Sequence, residues 1–335
     1  MVVAEVSGNH NGSLARAREI IHMVAASGAP AVKLQTYRPD TITLNADTPD
    51  FRLSDGHELW GSRQLFELYE EAHTPWEWHA ELFDLARSLG LIAFSTPFDE
   101  TAVDFLEELD CPLYKIASLE IVDLPLIRHA ARTGKPMIMS TGTATIEEVD
   151  AAVAAARGAG CTDLTLLVCT SNYPADPREA NLRRMQTLSD RFGTRTGLSD
   201  HTTGIAVSVA AVALGAMVIE KHVTLDRSDG GVDSAFSLDG PELAELVRGC
   251  ADASAALGDP DAWRTPGESE SLRFRPSLFV TRDVKAGEIV GPDNVRSVRP
   301  SGGLPPDAIG TATGRRFAKD VAFGTPLSWD LIEPS

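Results

Sequence analysis

The 335-residue sequence repeatedly places ionisable and hydroxyl side chains at the ends of short apolar runs. In chain order these are Glu5; Lys33 and Gln35; Ser95 and Thr96; Lys115, Ser118 and Glu120; Ser140, Thr141 and Gly142; Thr170, Ser171 and Tyr173; Ser199, Asp200 and His201; and Glu220 with His222. One Ser or Thr in such a place is ordinarily a helix cap. The same placement at eight successive runs points to one shared site.

Lys33 and Lys115 lie inside otherwise apolar runs, where an ammonium without a partner is costly. They could pair with Glu5, Glu120 or Glu220. They could instead hold the carboxylate and phosphate of an anionic substrate, helped by Ser118, Ser140, Ser199 and the N–H of Gly142 at a helix start. A third reading makes one of them a Schiff-base nucleophile, as in lysine-dependent aldolases. The residues alone leave all three open. His201 and His222 end neighbouring runs, beside Asp200 and Glu220, and two imidazoles with open positions suit a divalent metal that polarises a carbonyl oxygen. His10, in the loop after the first run, could be a third ligand or a loop contact, and the second is the expectation. Asp233, beside Gly230 and Gly231, is a further carboxylate that could bind sugar hydroxyls or start a turn.

The elements that must position these groups alternate. Candidate strands at Val2–Val6, Ala31–Thr36, Ile92–Thr96, Leu113–Ala117, Met137–Ser140, Leu164–Cys169, Arg195–Ser199 and Met217–His222 are each followed by a stretch of helical period. Helices are expected over Leu14–Ser27, Leu65–Leu89 with a break near Pro75, Ile146–Ala156 and Pro241–Leu257. Eight βα units closing on themselves form a (β/α)8 TIM barrel of about 250 residues, whose chemistry sits at the carboxyl ends of its strands. No GxGxxG follows the first strand, which disfavours an open dinucleotide-binding sheet. The barrel is assigned to residues 1–257. A linker follows at 258–274, rich in Gly, Pro, Asp and Ser at its start, and then a small mostly-β domain at 275–335, with short strands at Leu278–Val280, Arg296–Val298 and Leu327–Ile332.

Composition narrows the partners. The sequence carries 48 acidic against 30 basic side chains and a formal charge of −18, which repels a phosphate backbone and argues against nucleic acid. Cys111, Cys161, Cys169 and Cys250 form no CxxC pair and read as buried, reduced thiols. No leader pattern and no apolar run of roughly 18 residues is present. The expectation is a cytoplasmic protein without a membrane partner.

Taken in order, the strand-end segments resemble the sialic acid synthase (N-acetylneuraminate synthase) family. They are AEVSGNHNG from Ala4, KLQTY from Lys33, FSTPFD from Phe94, YKIAS from Tyr114, STGTAT from Ser140, CTSNYP from Cys169, LSDHTTG from Leu198 and EKHVTLDRSDGGVDSAFSL from Glu220. The tail, SLFVTRDVKAGEIV followed by VRPSGGLPP, resembles that family's SAF (antifreeze-like, β-clip) domain. The AFSL stretch from Ala235, the loop after Thr36 and the segment from Tyr69 are most similar to the pseudaminic acid branch of the family.

The resemblance implies condensation of phosphoenolpyruvate with a diacetamido-trideoxy-hexose, with a manno-configured acceptor as the alternative. It implies that Lys33, Thr96, Lys115, Ser118, Ser140 and Ser199 bind phosphoenolpyruvate, and that His201 and His222 hold Mn²⁺, Mg²⁺ or Co²⁺. Gln35, Glu120, Tyr173 and Asp233 would contact the sugar. Glu5 and Glu120, with the two lysines, would carry the catalysis. It also implies a homodimer with exchanged SAF domains, each bringing Arg299 to the other protomer's site. Two departures stand out. The first strand begins without the family's usual N-terminal extension, leaving closure of the barrel bottom open, and Ser301 replaces a common glycine after the Arg-Pro pair.

Overall fold

Short runs buried on both faces pair in parallel along the chain, as a sheet sandwiched between a packed interior and a helical layer requires. The computed structural model describes residues 1–53 and 63–334; Ser335, the end of the expected small domain, lies outside the described residues. Among the described residues, β1 (Val2–Glu5), β2 (Ala31–Thr36), β3 (Ile92–Pro97), β4 (Tyr114–Ile116), β5 (Met137–Ser140), β6 (Leu164–Cys169), β7 (Arg195–Asp200) and β8 (Val218–His222) close a parallel barrel. Each boundary falls within one residue of the sequence expectation. The sheet closes around β1. β1 pairs with both β2 and β8, and the amino group of Met1 donates to the Met217 carbonyl at 2.7 Å.

The helices follow local rules. Helix α1 (Leu14–Ser27) starts where the Ser13 hydroxyl accepts from Arg16 N and ends at Gly28, whose φ of 81° suits a residue without a Cβ. It buries Ala17, Ile20, Ile21 and Val24, one stripe of a 3.6-residue period, against the sheet. The β2–β3 connection carries α2 (Pro39–Ile42), α3 (Leu65–Ala72) and α4 (Trp76–Ser88). The expected long helix is thus two, broken where Pro75 cannot continue a helical ladder. After β3 come α5 (Glu100–Glu108), α6 (Leu124–Arg132), α7 (Ile146–Gly158), α8 (Arg184–Phe192), α9 (Ala206–Ala213) and α10 (Gly240–Ala256). Gly142 does not begin a helix, contrary to expectation: α7 is capped by Thr145, and the Gly142 N–H donates to Ser118 Oγ at 3.2 Å.

The chain divides into two compact units, Met1–Leu257 and Gly258–Ser335. In the second, β9 (Ser277–Val280) and β10 (Val295–Val298) pair antiparallel over a core that includes Leu278, Val280, Val290, Phe317 and Leu327. The stretch Leu327–Ile332 is not the expected strand. Trp329–Leu331 forms a 3-10 turn, because the Ser328 hydroxyl bonds Asp330 and diverts the backbone from a ladder. A short helix, α11 (Ile309–Ala312), completes this unit.

The seam between β7 and β8 tolerates no side chain at Gly197. A Cβ there would lie 2.1 Å from the Val218 carbonyl oxygen and 2.8 Å from Leu167 Cδ2. Gly197→Ala is therefore expected to destabilise the barrel by about 3 kcal/mol. Gly158→Ala, with open space around its Cβ, should be neutral or stabilise by about 0.5 kcal/mol. Melting temperatures of the two variants check this.

Candidate active site

Alternation along the strands decides which polar groups face the barrel mouth. Glu5, Lys33, Lys115, Ser140, Ser199, Glu220 and His222 point inward, and all of them except Glu5 line a cavity of about 330 Å³. Ser7, Gln35, Thr96, Ser118, Glu120, Cys169, Tyr173, His201 and Asp233 complete its polar wall. The sequence candidates of the first unit are thereby brought to one place, with Glu5 buried beneath the cavity. Arg299 lies in the second unit, exposed just beyond β10.

The neighbouring positions face the other way. Thr36 and Ser95 bond each other at 2.6 Å, and Thr36 bonds His79 of α4 at 2.8 Å, so Ser95 braces the helical layer and is not a mouth residue. Asp200 likewise turns from the mouth. It lies 2.9 Å from Lys221 Nζ and accepts from the hydroxyls of Thr202 and Ser208, tying the loop that carries His201 to β8. His10 is wholly buried against Thr74 and Trp78, the loop contact expected of it.

At the floor, two lysines interlock with two carboxylates. Lys33 Nζ lies 2.5 Å from Glu5 Oε2 and 3.8 Å from Glu220 Oε1, and donates to Thr96 Oγ1 at 3.0 Å. Lys115 Nζ lies 3.6 Å from Glu220 Oε1 and donates to Ser140 Oγ at 2.7 Å. Ser199 Oγ donates to Glu220 at 3.1 Å. Glu120 pairs with neither lysine. Burial opposes ionisation of all four floor groups, and the local partners decide the outcome. Against burial, Lys115 and Lys33 hold the Glu220 carboxyl below its usual range, and Glu220 and Glu5 hold Lys33 above its own. Burial wins at the other two, raising Glu5 and lowering Lys115. Glu220 therefore anchors both cations, a role that the sequence reading gave it only as one possible pairing partner. Its spacing of two from His222 on a strand was the available signal.

Above the floor sit the histidines, their ring centroids 5.2 Å apart. His201 Nδ1 faces the Thr170 carbonyl at 3.0 Å, which assigns a proton to Nδ1 and, in the neutral ring, the lone pair to Nε2. Burial alone would lower this ring, but the nearby Cys169 thiol and the Thr170 carbonyl hold it above its usual range. Burial and the neighbouring cations keep His222 neutral, well below 6.5, and its buried Nδ1 makes no hydrogen bond, Asp233 Oδ2 being 3.6 Å away. Among the described residues no group of three or more His, Cys, Asp or Glu side chains is arranged around a common metal position. The unpartnered His222 Nδ1 and the His201 ring are the donors that this place offers an ion, which would take its other ligands from water or substrate.

Ser7 and Cys169 are among the cavity residues that escaped the sequence reading. Ser7 adopts φ 49°, a left-handed conformation that a non-glycine residue holds at some cost. Its N–H donates to Glu5 Oε1 at 3.2 Å and its hydroxyl to Asp233, so it links the floor to the wall. Cys169, read as packing, touches His201; burial would raise its thiol, but His201, Ser118 and Lys115 bring it down to about 7. Neither residue type signals such a role in a linear pattern.

The sequence matches the NeuB family over residues 20–262 and the SAF domain over residues 275–333. This chain belongs to the NeuB family. A pseudaminic acid synthase of Helicobacter pylori is 45% identical over 100% of this chain and 98% of its own length. An N,N'-diacetyllegionaminic acid synthase of Legionella pneumophila is 37% identical over 99% of this chain and 94% of its own. A crystal structure of N-acetylneuraminic acid synthetase from Leptospira borgpetersenii, in complex with citrate, superposes with a TM-score of 0.72 at 31% identity, covering 81% of this chain and 89% of that one.

One carboxyl in the NeuB site carries a measurable strain. Burial pushes Glu120 up from 4.5 to about 7, and its Oε2 has no hydrogen-bond partner. The folded chain therefore holds a proton that the unfolded chain has released between these values, and stability falls as pH rises through about 7. Glu120→Gln should leave the melting temperature nearly unchanged at pH 5 and raise it at pH 8, by an amount equivalent to on the order of 2 kcal/mol. An equal effect at both pH values would contradict the burial argument.

Proposed function

We propose that this NeuB-family enzyme condenses phosphoenolpyruvate with 2,4-diacetamido-2,4,6-trideoxy-L-altrose to give pseudaminic acid and phosphate. The family and its relatives make the chain a C–C bond-forming synthase that joins phosphoenolpyruvate to a sugar. The choice of sugar rests on one observation, the 45% full-length likeness to a pseudaminic acid synthase against 37% to a diacetyllegionaminic acid synthase.

In this reading the floor is an anion clamp. Lys33 and Lys115 face the substrate's carboxylate and phosphate, and Thr96, Ser118, Ser140 and Ser199 supply hydroxyls. The fixed lysine pairs with Glu5 and Glu220 keep the cations in place before substrate arrives, so little reorganisation accompanies binding. Gln35, Tyr173 and Asp233 hold the open-chain sugar over this floor, and Ser7 keeps the Asp233 carboxylate oriented. His201 and His222 hold a divalent cation, Mn²⁺, Mg²⁺ or Co²⁺, which supplies Lewis-acid polarisation of the sugar aldehyde when bound. C3 of phosphoenolpyruvate adds to the aldehyde carbon, and positive charge develops at C2. Water adds to C2 and gives its proton to Glu120, whose carboxyl at about 7 suits a base near neutral pH, with Glu5 beneath the cavity as the other available carboxylate. The aldehyde oxygen, left as an alkoxide by the addition, takes up the proton given to Glu120, and collapse of the tetrahedral centre breaks the C–O bond, C2 becoming a carbonyl as phosphate leaves with the hydroxyl's proton. The protein acts as a homodimer in the cytoplasm, where the SAF domain of one protomer covers the other's mouth and excludes water. Arg299 of the partner subunit then meets an acetamido group.

Phosphate release from phosphoenolpyruvate, measured side by side with the L-altro acceptor, its D-manno counterpart and N-acetylmannosamine, tests the assignment. The L-altro sugar should give the highest kcat/KM, and chelation should abolish turnover until Mn²⁺ is restored. Preference for either manno sugar would overturn the pseudaminic assignment. Undiminished turnover after exhaustive chelation would overturn the role of the histidines.

A further inference from the structure

Besides the lysines and hydroxyls, the cavity lining includes apolar side chains of the β2–β3 connection, Tyr37, Ile42, Leu65, Leu68 and Tyr69, continued by Phe98 after β3, which make up its apolar flank. Tyr37, only 2% exposed, is fixed by edge-on contacts to Tyr69 at 5.7 Å and Phe98 at 5.2 Å, and Leu68 is 6% exposed. Rings interlocked in this way form a rigid wall. Leu65, Leu68 and Ile42 offer no hydrogen-bonding group, so a hydroxyl pressed against them would lose its water without replacement.

We infer that this flank receives the C6 methyl of a 6-deoxy acceptor and thereby selects deoxy sugars over those with a hydroxymethyl group at that carbon. The inference rests on the proposed condensation. The charged floor is committed to the anionic substrate, which leaves the flank to the sugar. Only two parts of a diacetamido-trideoxy-hexose match an aliphatic wall, the C6 methyl and the acetamido methyls. An acetamido group brings an N–H and a carbonyl that also need partners; within the flank only the Tyr37 and Tyr69 hydroxyls could supply one, and Ile42, Leu65 and Leu68 have none to give. The C6 methyl needs none.

Three L-altro acceptors distinguish the two kinds of methyl. They are the 2,4-diacetamido-6-deoxy sugar, its 6-hydroxy counterpart, and the 6-deoxy sugar lacking the 4-acetamido group. In the wild-type enzyme, kcat/KM for the first should exceed that for the second by about 10- to 100-fold. Leu68→Asn, and independently the half-buried Leu65→Asn, should shrink that ratio by about 10-fold, with the KM for phosphoenolpyruvate unchanged. Should Leu68→Asn fail to fold, Leu65→Asn and the wild-type ratio still decide the matter. A wild-type ratio within about 3-fold, in an enzyme that turns over the first sugar well, would overturn the inference alone. So would variants that change the ratio of the first sugar to the third and leave the 6-hydroxy ratio intact, since the flank would then read an acetamido methyl. Failure of every diacetamido sugar would overturn the proposed condensation as well.

Discussion

The site depends on two ammonium groups held beneath the barrel mouth by two carboxylates. Lys33 and Lys115 are nearly inaccessible, and isolated charges at that depth would unfold the barrel or lose their protons. Glu5 and Glu220 make them tolerable, and Glu220 does so for both at once through a single oxygen near 3.6 and 3.8 Å. The arrangement sets two lysines against two carboxylates, with hydroxyls from Thr96, Ser140 and Ser199 filling the remaining directions. A trianionic substrate arriving above it meets donors already in position, although the chain as a whole is strongly acidic.

The rest of the structure serves to hold that floor and to roof it. The β7–β8 seam, tight enough to require Gly197, sets Ser199 beside Glu220. On the outer face of the same two strands, Lys221 and Asp200 pair and grip the loop that bears His201. The two ion-pair systems therefore lie back to back, one facing substrate and one fixing the histidines. Ser7, held in a costly backbone conformation, connects Glu5 of the floor to Asp233 of the wall. Backbone strain of that kind persists only where several contacts determine it together.

Much of this was legible in the sequence because barrel strands have a period of two and finish at the chemistry. The strand ends were located to within one residue, and Lys33, Lys115, Ser199 and His222, named from those ends, all line the one cavity. Which of two adjacent polar residues turns inward was not legible where both are hydrophilic. Ser95 and Thr96, or Ser199 and Asp200, look alike in one dimension, and only pairing with His79 and Lys221 on the outer layer separates them. Ser7 and Cys169 gave no signal, since their roles come from backbone geometry and from neighbours more than 30 residues away. The small C-terminal unit was misread at Leu327–Ile332, where an apolar stretch packs its side chains inward from a turn, not from a strand.

The central claim is that the two floor lysines act as charges and not as nucleophiles. A lysine whose proton is weakened by burial, as at Lys115, is the kind that can form a Schiff base, so the distinction must be measured. The direct measurement is the intact mass of the protein after turnover with phosphoenolpyruvate and acceptor in the presence of borohydride. The account predicts an unmodified mass while phosphate is released. A reduced adduct on Lys33 or Lys115 would contradict it.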